Sequence, residues 1–150
     1  MKKKPLEYAL YLLELRDRTE GEIRQKMSMK KYEPVEIEET VKFLKAKDFI
    51  NDERFVKNYI ANKQAFGTTG KYKIRQKLML LRLDPKLIEE NIAETNPEDE
   101  KIRATELATS WLAKKISIPP EKRYEKLGHF LVSRGFEIDI IKNVLQELLK

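Results

Sequence analysis

A passage of this chain returns twice. Shifted by 51 residues, Ile23, Met27, Tyr32, Glu33, Pro34, Ile37 and Val41 fall on Ile74, Leu78, Leu83, Asp84, Pro85, Ile88 and Ile92. A further shift of 53 reaches Leu127, Leu131, Phe136, Glu137, Ile138, Ile141 and Leu145. Two amphipathic helices share some apolar positions by chance. They do not also share the cap acid, the proline behind it and the triplet Arg24-Gln25-Lys26, which meets Arg75-Gln76-Lys77. A period near 50 residues restricts the fold to an array of small units. Each is too short for a self-sufficient core and is completed by its neighbour.

Within a unit the period is helical. Apolar residues recur at i, i+3, i+4 and i+7, and no long stretch alternates. Thr19 and Glu22 form a capping-box pair. Glu33-Pro34, Asp84-Pro85 and Asn96-Pro97 each set a polar cap before a proline, whose missing N–H costs nothing at a first helical position. Asn51, ahead of Asp52 and Glu53, caps another start. The predicted helices span 6–16, 19–30, 34–46, 51–65, 70–81, 85–95, 97–115, 120–133 and 138–149. The expectation is an all-α chain of three tandem three-helix repeats, 1–50, 51–96 and 97–150, forming an elongated, curved helical array. Ile37, Ile88 and Ile141 should be buried alike, and Ile74, Leu78 and Leu81 should face the core.

Charge is sorted along this pattern. Charged residues make up 37% of the 150 residues and the net charge is +6. Residues 16–31, 67–82 and 114–134 carry +3, +5 and +4, whereas 33–48, 84–100 and 137–149 carry −2, −6 and −2. Basic second helices thus alternate with acidic third helices. The candidate contact residues are Arg16, Arg18, Arg24, Lys26 and Lys30 in the first repeat, Lys71, Lys73, Arg75, Lys77 and Arg82 in the second, and Lys114, Lys115, Lys122 and Arg123 in the third. Aligned, they would make a stripe suited to an extended polyanion or a filament. Alternatively, the second and third helices of each unit pair by charge.

Chemistry is sparse. Without cysteine there is no disulfide, thiol nucleophile or cysteine zinc site. One histidine, His129, cannot build a multi-histidine metal centre. The sequence lacks the phosphate-binding, nucleophile-elbow and zinc-protease motifs. No enzyme, metal or cofactor is expected. Gly67-Thr68-Thr69-Gly70 reads as a helix–helix turn whose following N–H groups and Lys71 and Lys73 can approach phosphate. Trp111 reads as packing, and Glu89-Glu90 and Glu98-Asp99-Glu100 as solvated helix surface. No apolar run is long enough to span a membrane. The N-terminal stretch, interrupted by Glu7 and Glu14, is unlike a secretory leader, so a cytoplasmic location is expected.

Three passages resemble a known family: Tyr11-Leu12-Leu13-Glu14-Leu15-Arg16-Asp17-Arg18-Thr19-Glu20-Gly21-Glu22-Ile23, then Phe49-Ile50-Asn51-Asp52-Glu53-Arg54-Phe55 with Tyr59-Ile60, then Gly67–Gly70 leading to Ile74 and Leu78. The family is RecX, bacterial regulators of the RecA recombinase, and the resemblance covers roughly 6–95 well. Where that family has glycine before each third helix, this chain has Lys31 and Arg82, keeping only Gly135. The resemblance implies a curved, basic, non-enzymatic binder, expected as a monomer. Its partner would be the RecA–DNA filament, whose groove it would occupy, with weak direct contact to single- or double-stranded DNA a further possibility. Blocking strand exchange, ATP turnover and filament growth would follow. The alternative is a helical DNA-binding module or transcription regulator reading duplex DNA through Arg24-Gln25 or Arg75-Gln76.

Overall fold

The computed structural model describes residues 2–67 and 69–149, with the backbone alone for Phe66. Among the described residues there are nine helices and no strand: α1 (Pro5–Leu15), α2 (Glu20–Met29), α3 (Pro34–Ala46), α4 (Asp52–Phe66), α5 (Lys71–Leu80), α6 (Pro85–Ala93), α7 (Pro97–Lys114), α8 (Pro120–Ser133) and α9 (Ile138–Leu148). No boundary departs from its sequence expectation by more than two residues. The caps explain this agreement. Thr19 Oγ1 accepts from the Glu22 N–H and Glu22 Oε1 accepts from the Thr19 N–H, both at 3.1 Å. Asn51 and Asn96 accept from the N–H groups of Arg54 and Glu98. Each cap satisfies a donor that a helix start leaves without a partner.

The second helix of each repeat, α2, α5 and α8, runs into a left-handed residue. Lys31, Arg82 and Gly135 have φ of 66°, 61° and 86°, so the two non-glycine residues adopt the left-handed turn rather than a different helix ending. At Lys31 the Tyr32 N–H returns to Met27 O and the Lys31 N–H to Ser28 O, a Schellman closure. The same closure at Gly135 uses Phe136 with Leu131 and Gly135 with Val132. A fourth left-handed residue, Asp48 at φ 59°, closes α3 and had no signal in the repeat.

Contacts divide the chain into two compact units, Met1–Asn58 with Leu78–Ile88, and Tyr59–Lys77 with Glu89–Lys150. In the first, α1, α2 and α3 pack on one another around Tyr8, Leu12, Ile23, Met27, Tyr32, Val41 and Leu44. In the second, α7, α8 and α9 pack around Ala104, Ala108, Leu127, Leu131, Phe136, Ile141 and Leu145, with Trp111 stacked 5.9 Å from Phe130. Apart from the Pro34–Pro85–Ile138 cap position, five of the aligned positions are apolar in all three copies, and all five are buried: Ile23, Ile74 and Leu127; Met27, Leu78 and Leu131; Tyr32, Leu83 and Phe136; Ile37, Ile88 and Ile141; Val41, Ile92 and Leu145, whereas Ile138 is exposed. Leu81 is only half-buried. Among the described residues no helix is long and apolar enough to cross a membrane.

Candidate binding surface

The second helices of the first two repeats, α2 and α5, are anchored at their starts. Thr19 Oγ1 donates to Leu81 O at 2.6 Å, and Gly21 lies so close to the following turn that a Cβ there would sit 2.8 Å from Arg82 O. The start of α5 repeats this joint with different chemistry. The Gly70 N–H donates to Arg134 O at 2.8 Å and the Tyr72 N–H to Gly135 O at 2.9 Å. The Lys71 N–H donates to Glu100 Oε1 at 2.6 Å. The N–H groups expected to face a phosphate are therefore taken up inside the protein. Gly67, at φ 70°, ends α4 as the turn reading expects, while Thr68 of that motif lies outside the described residues.

Glu100 is the largest departure from the sequence reading. It was expected on solvated surface and is instead fully buried. Its position follows from its task, since it caps the first turn of α5, and its Oε2 lies 3.8 Å from Lys71 Nζ. Burial pushes the Glu100 carboxyl above the usual range, against the Lys71 N–H bond and the nearby Lys71 and Arg103 charges. Asp52, which accepts from the Glu20 N–H at 2.9 Å, is likewise raised by burial, with that bond opposing. Burial acts to raise Glu20 too, but hydrogen bonds from Lys45 and Arg24 outweigh it and hold the carboxyl low.

The fourteen candidate basic residues separate into two groups. In the first, side chains are engaged within the protein. Arg16 pairs with Glu22, and Arg24 with Glu20 and Glu38. Arg75 pairs with Glu89 and, at 3.8 Å, Glu137. Lys71 is only 12% exposed beside Glu100 and so is not an outward member of a stripe with Arg75 and Arg82. Arg18 donates to Leu12 O, Arg82 to Gln25 Oε1 and Arg123 to Ile118 O. The Arg24–Glu38 and Arg75–Glu89 pairs stand one repeat apart, so at this position the second and third helices do pair by charge. The second group comprises Lys26, Lys30, Lys73, Lys77, Lys114, Lys115 and Lys122. Among the described residues they make no ion pair, and all but the half-buried Lys73 are exposed. No motif marked a further basic cluster in which Lys2, Lys3 and Lys30 stand over the rings of Tyr32, Tyr11 and Tyr8. Its sequence trace is Tyr8 and Tyr11 at helical spacing behind three lysines. Among the described residues no cluster of metal-ligating side chains is present.

Comparison with known proteins decides the family. The model of the RecX first three-helix domain matches residues 6–44, and that of the second three-helix domain matches residues 51–90. The chain belongs to the RecX family. The regulatory protein RecX of Clostridium botulinum (strain Eklund 17B / Type B) is 32% identical over 145 residues, covering 95% of this chain and 68% of that protein. That of Vibrio parahaemolyticus is 32% identical over 139 residues, covering 93% and 88%. The fold matches the crystal structure of RecX from Lactobacillus salivarius with a TM-score of 0.87 at 23% identity, over 97% of this chain and 94% of that one.

As a RecX-family protein the chain is a regulatory protein and not an enzyme. Both matched family domains lie on the first two copies of the repeat, where the aligned residues agree most fully. The left-handed turns at Lys31 and Arg82 form without glycine. Gly21 leaves room for the Arg82 Cβ, so at this joint the helix and not the turn supplies the glycine.

Proposed function

We propose that this RecX-family chain is a non-enzymatic regulator, mainly an inhibitor, of the RecA recombinase. It lodges in the groove of the RecA–DNA filament and blocks strand exchange, ATP turnover and filament growth. The family match over residues 6–44 and 51–90 carries this reading. The net charge of +6 and the lysines left without ion pairs support it, since a filament on DNA is a polyanion. In this reading Lys26, Lys30, Lys73, Lys77, Lys114, Lys115 and Lys122 make the outward contacts, and Arg16, Arg24, Lys71 and Arg75 hold the helices that present them. The three repeats 1–50, 51–96 and 97–150 are the units that engage the filament, and the protein acts in the cytoplasm as a monomer. Reading of duplex DNA by a recognition helix is disfavoured, because Arg24 is held by two glutamates and Gln25 by Arg82.

The test is inhibition of strand exchange and ATP hydrolysis by the cognate recombinase at substoichiometric amounts of this chain. A refined charge test accompanies it. Lys26→Ala, Lys77→Ala and Lys122→Ala together should weaken filament binding at least about tenfold at physiological salt and reduce its salt dependence. Lys42→Ala, Lys86→Ala and Lys142→Ala, on the third helices, should do much less. Equal losses would mean that net charge alone governs binding.

A further inference from the structure

Outside the second-helix lysines, apart from Lys30, the first unit holds a hollow of about 420 Å³ lined by Lys2, Lys3, Tyr8, Tyr11, Lys30 and Tyr32. Among the described residues its lining is one-sided, with three cations, three phenol rings and no carboxylate. The rings form a series. Tyr8 lies 5.6 Å from Tyr32 and 6.5 Å from Tyr11, with interplanar angles near 30°. Tyr8 and Tyr32 are buried, whereas Tyr11 is 43% exposed, so the inner two rings fix the attitude of the outer one. The lysines are held over the rings rather than beside acids. Lys2 Nζ stands 4.3 Å from the Tyr32 ring, Lys3 Nζ 5.2 Å from Tyr11 and Lys30 Nζ 5.8 Å from Tyr8. Lys2 also donates to Lys30 O and Lys31 O, and the Tyr32 hydroxyl donates to Lys3 O at 2.6 Å. These bonds pin the segment before α1 across the end of α2. Lys3 and Lys30 have no hydrogen bond from their ammonium groups among the described residues.

We propose that this hollow binds one nucleotide unit of a single-stranded nucleic acid. A base stacks on Tyr11 in place of the Lys3 ammonium, which swings aside and with Lys30 neutralises the flanking phosphates. Exposed aromatic faces beside unpaired cations are the combination that single strands use, because each base offers a flat face and each linkage a charge. A duplex keeps its bases stacked on one another and cannot offer that face. A simple polyanion would use the lysines and leave the ring idle. The proposal stands apart from RecA binding and is tested on the free chain.

The experiment is fluorescence anisotropy of the full chain with labelled oligo-dT and with an abasic strand of equal length, across a salt series. The parent should bind oligo-dT more tightly than the abasic strand. Tyr11→Ala should weaken oligo-dT binding about five- to hundredfold, the range for loss of one stacked base. It should leave abasic binding unchanged. Tyr11→Phe should bind like the parent, and Tyr11→Leu, which keeps apolar bulk without an aromatic face, should lose as much as Tyr11→Ala. Lys3→Ala with Lys30→Ala should lower the salt slope by about 1.4, near 0.7 for each phosphate contact. Equal binding of the dT and abasic strands by the parent overturns the proposal, as does unchanged dT affinity in Tyr11→Leu or tighter binding of duplex than of single strand.

Discussion

At the scale of single residues, left-handed turns and buried carboxylates give the sharpest expectations. Lys31 is exposed at φ 66° and its side chain makes no hydrogen bond among the described residues. Lys31→Gly should therefore raise stability by about 0.5–1 kcal/mol in denaturant unfolding, by removing the left-handed penalty at a helix end. Gly135→Ala should do the reverse. It combines φ 86° with a Cβ that would lie 2.6 Å from the Lys73 amide nitrogen, and the loss should be about 2–4 kcal/mol. Glu100 supplies a pH signature. Its folded-state pKa lies above the ordinary 4.5, so the folded protein binds a proton more readily than the unfolded chain. The penalty of the buried charge is fully present above the raised value. It fades as pH falls through the window down to 4.5 and is absent below. The stability of the parent relative to Glu100→Gln should thus rise as pH is lowered across that window and stay flat on either side. A difference that does not change with pH would show that Glu100 titrates alike in both states.

At the scale of the helix, α5 shows what the sequence holds and what it does not. Ile74 and Leu78 lie one turn apart and are buried at 2% and 0%. Each truncation to alanine should cost about 2–5 kcal/mol in equilibrium unfolding, and a loss under about 1 kcal/mol would mean that the helix face repacks. That face was legible because helical periodicity is local and the repeat states it three times. The caps at Thr19, Asn51 and Asn96 were legible for the same reason, as each acts within three residues. The burial of Glu100 was not. Its partner is the amide of Lys71, 29 residues away, and nothing in Glu98-Asp99-Glu100 distinguishes the carboxylate that turns inward. The Arg24–Glu38 pairing was half-legible. Opposite charges on successive helices allow it, but only the packing of α2 on α3 decides whether the arginine reaches the glutamate or solvent.

Over the whole molecule, a net charge of +6 overstates uniformity. Every candidate arginine is engaged within the protein, in forked pairs such as Arg24 with Glu38 and Arg75 with Glu89, while the candidate lysines other than Lys71 make no ion pair among the described residues. This division matches the two side chains, since guanidinium is suited to planar bidentate pairing and ammonium to hydrated, mobile contact. Arg24→Ala should therefore register as a loss of stability, modest because these pairs are partly exposed and screened. Lys77→Ala should register in the salt dependence of partner binding and scarcely in thermal unfolding. Lys71→Ala should behave as a fold variant rather than a binding variant, since it strips a nearly buried cation from Glu100.

The two joints are keyed in opposite senses, and this bears on how such a chain can evolve. At one, the missing side chain belongs to the helix, at Gly21, and the turn brings the bulk of Arg82. At the other, the turn is bare at Gly135 and the helix brings the bulk of Lys73. A tandem duplication of the middle third would set the Lys73 type of helix against the Arg82 type of turn, with two Cβ atoms claiming one space. Such a lengthened chain could not close its new connector without a compensating glycine. The number and order of units are thereby protected against casual expansion by two glycines.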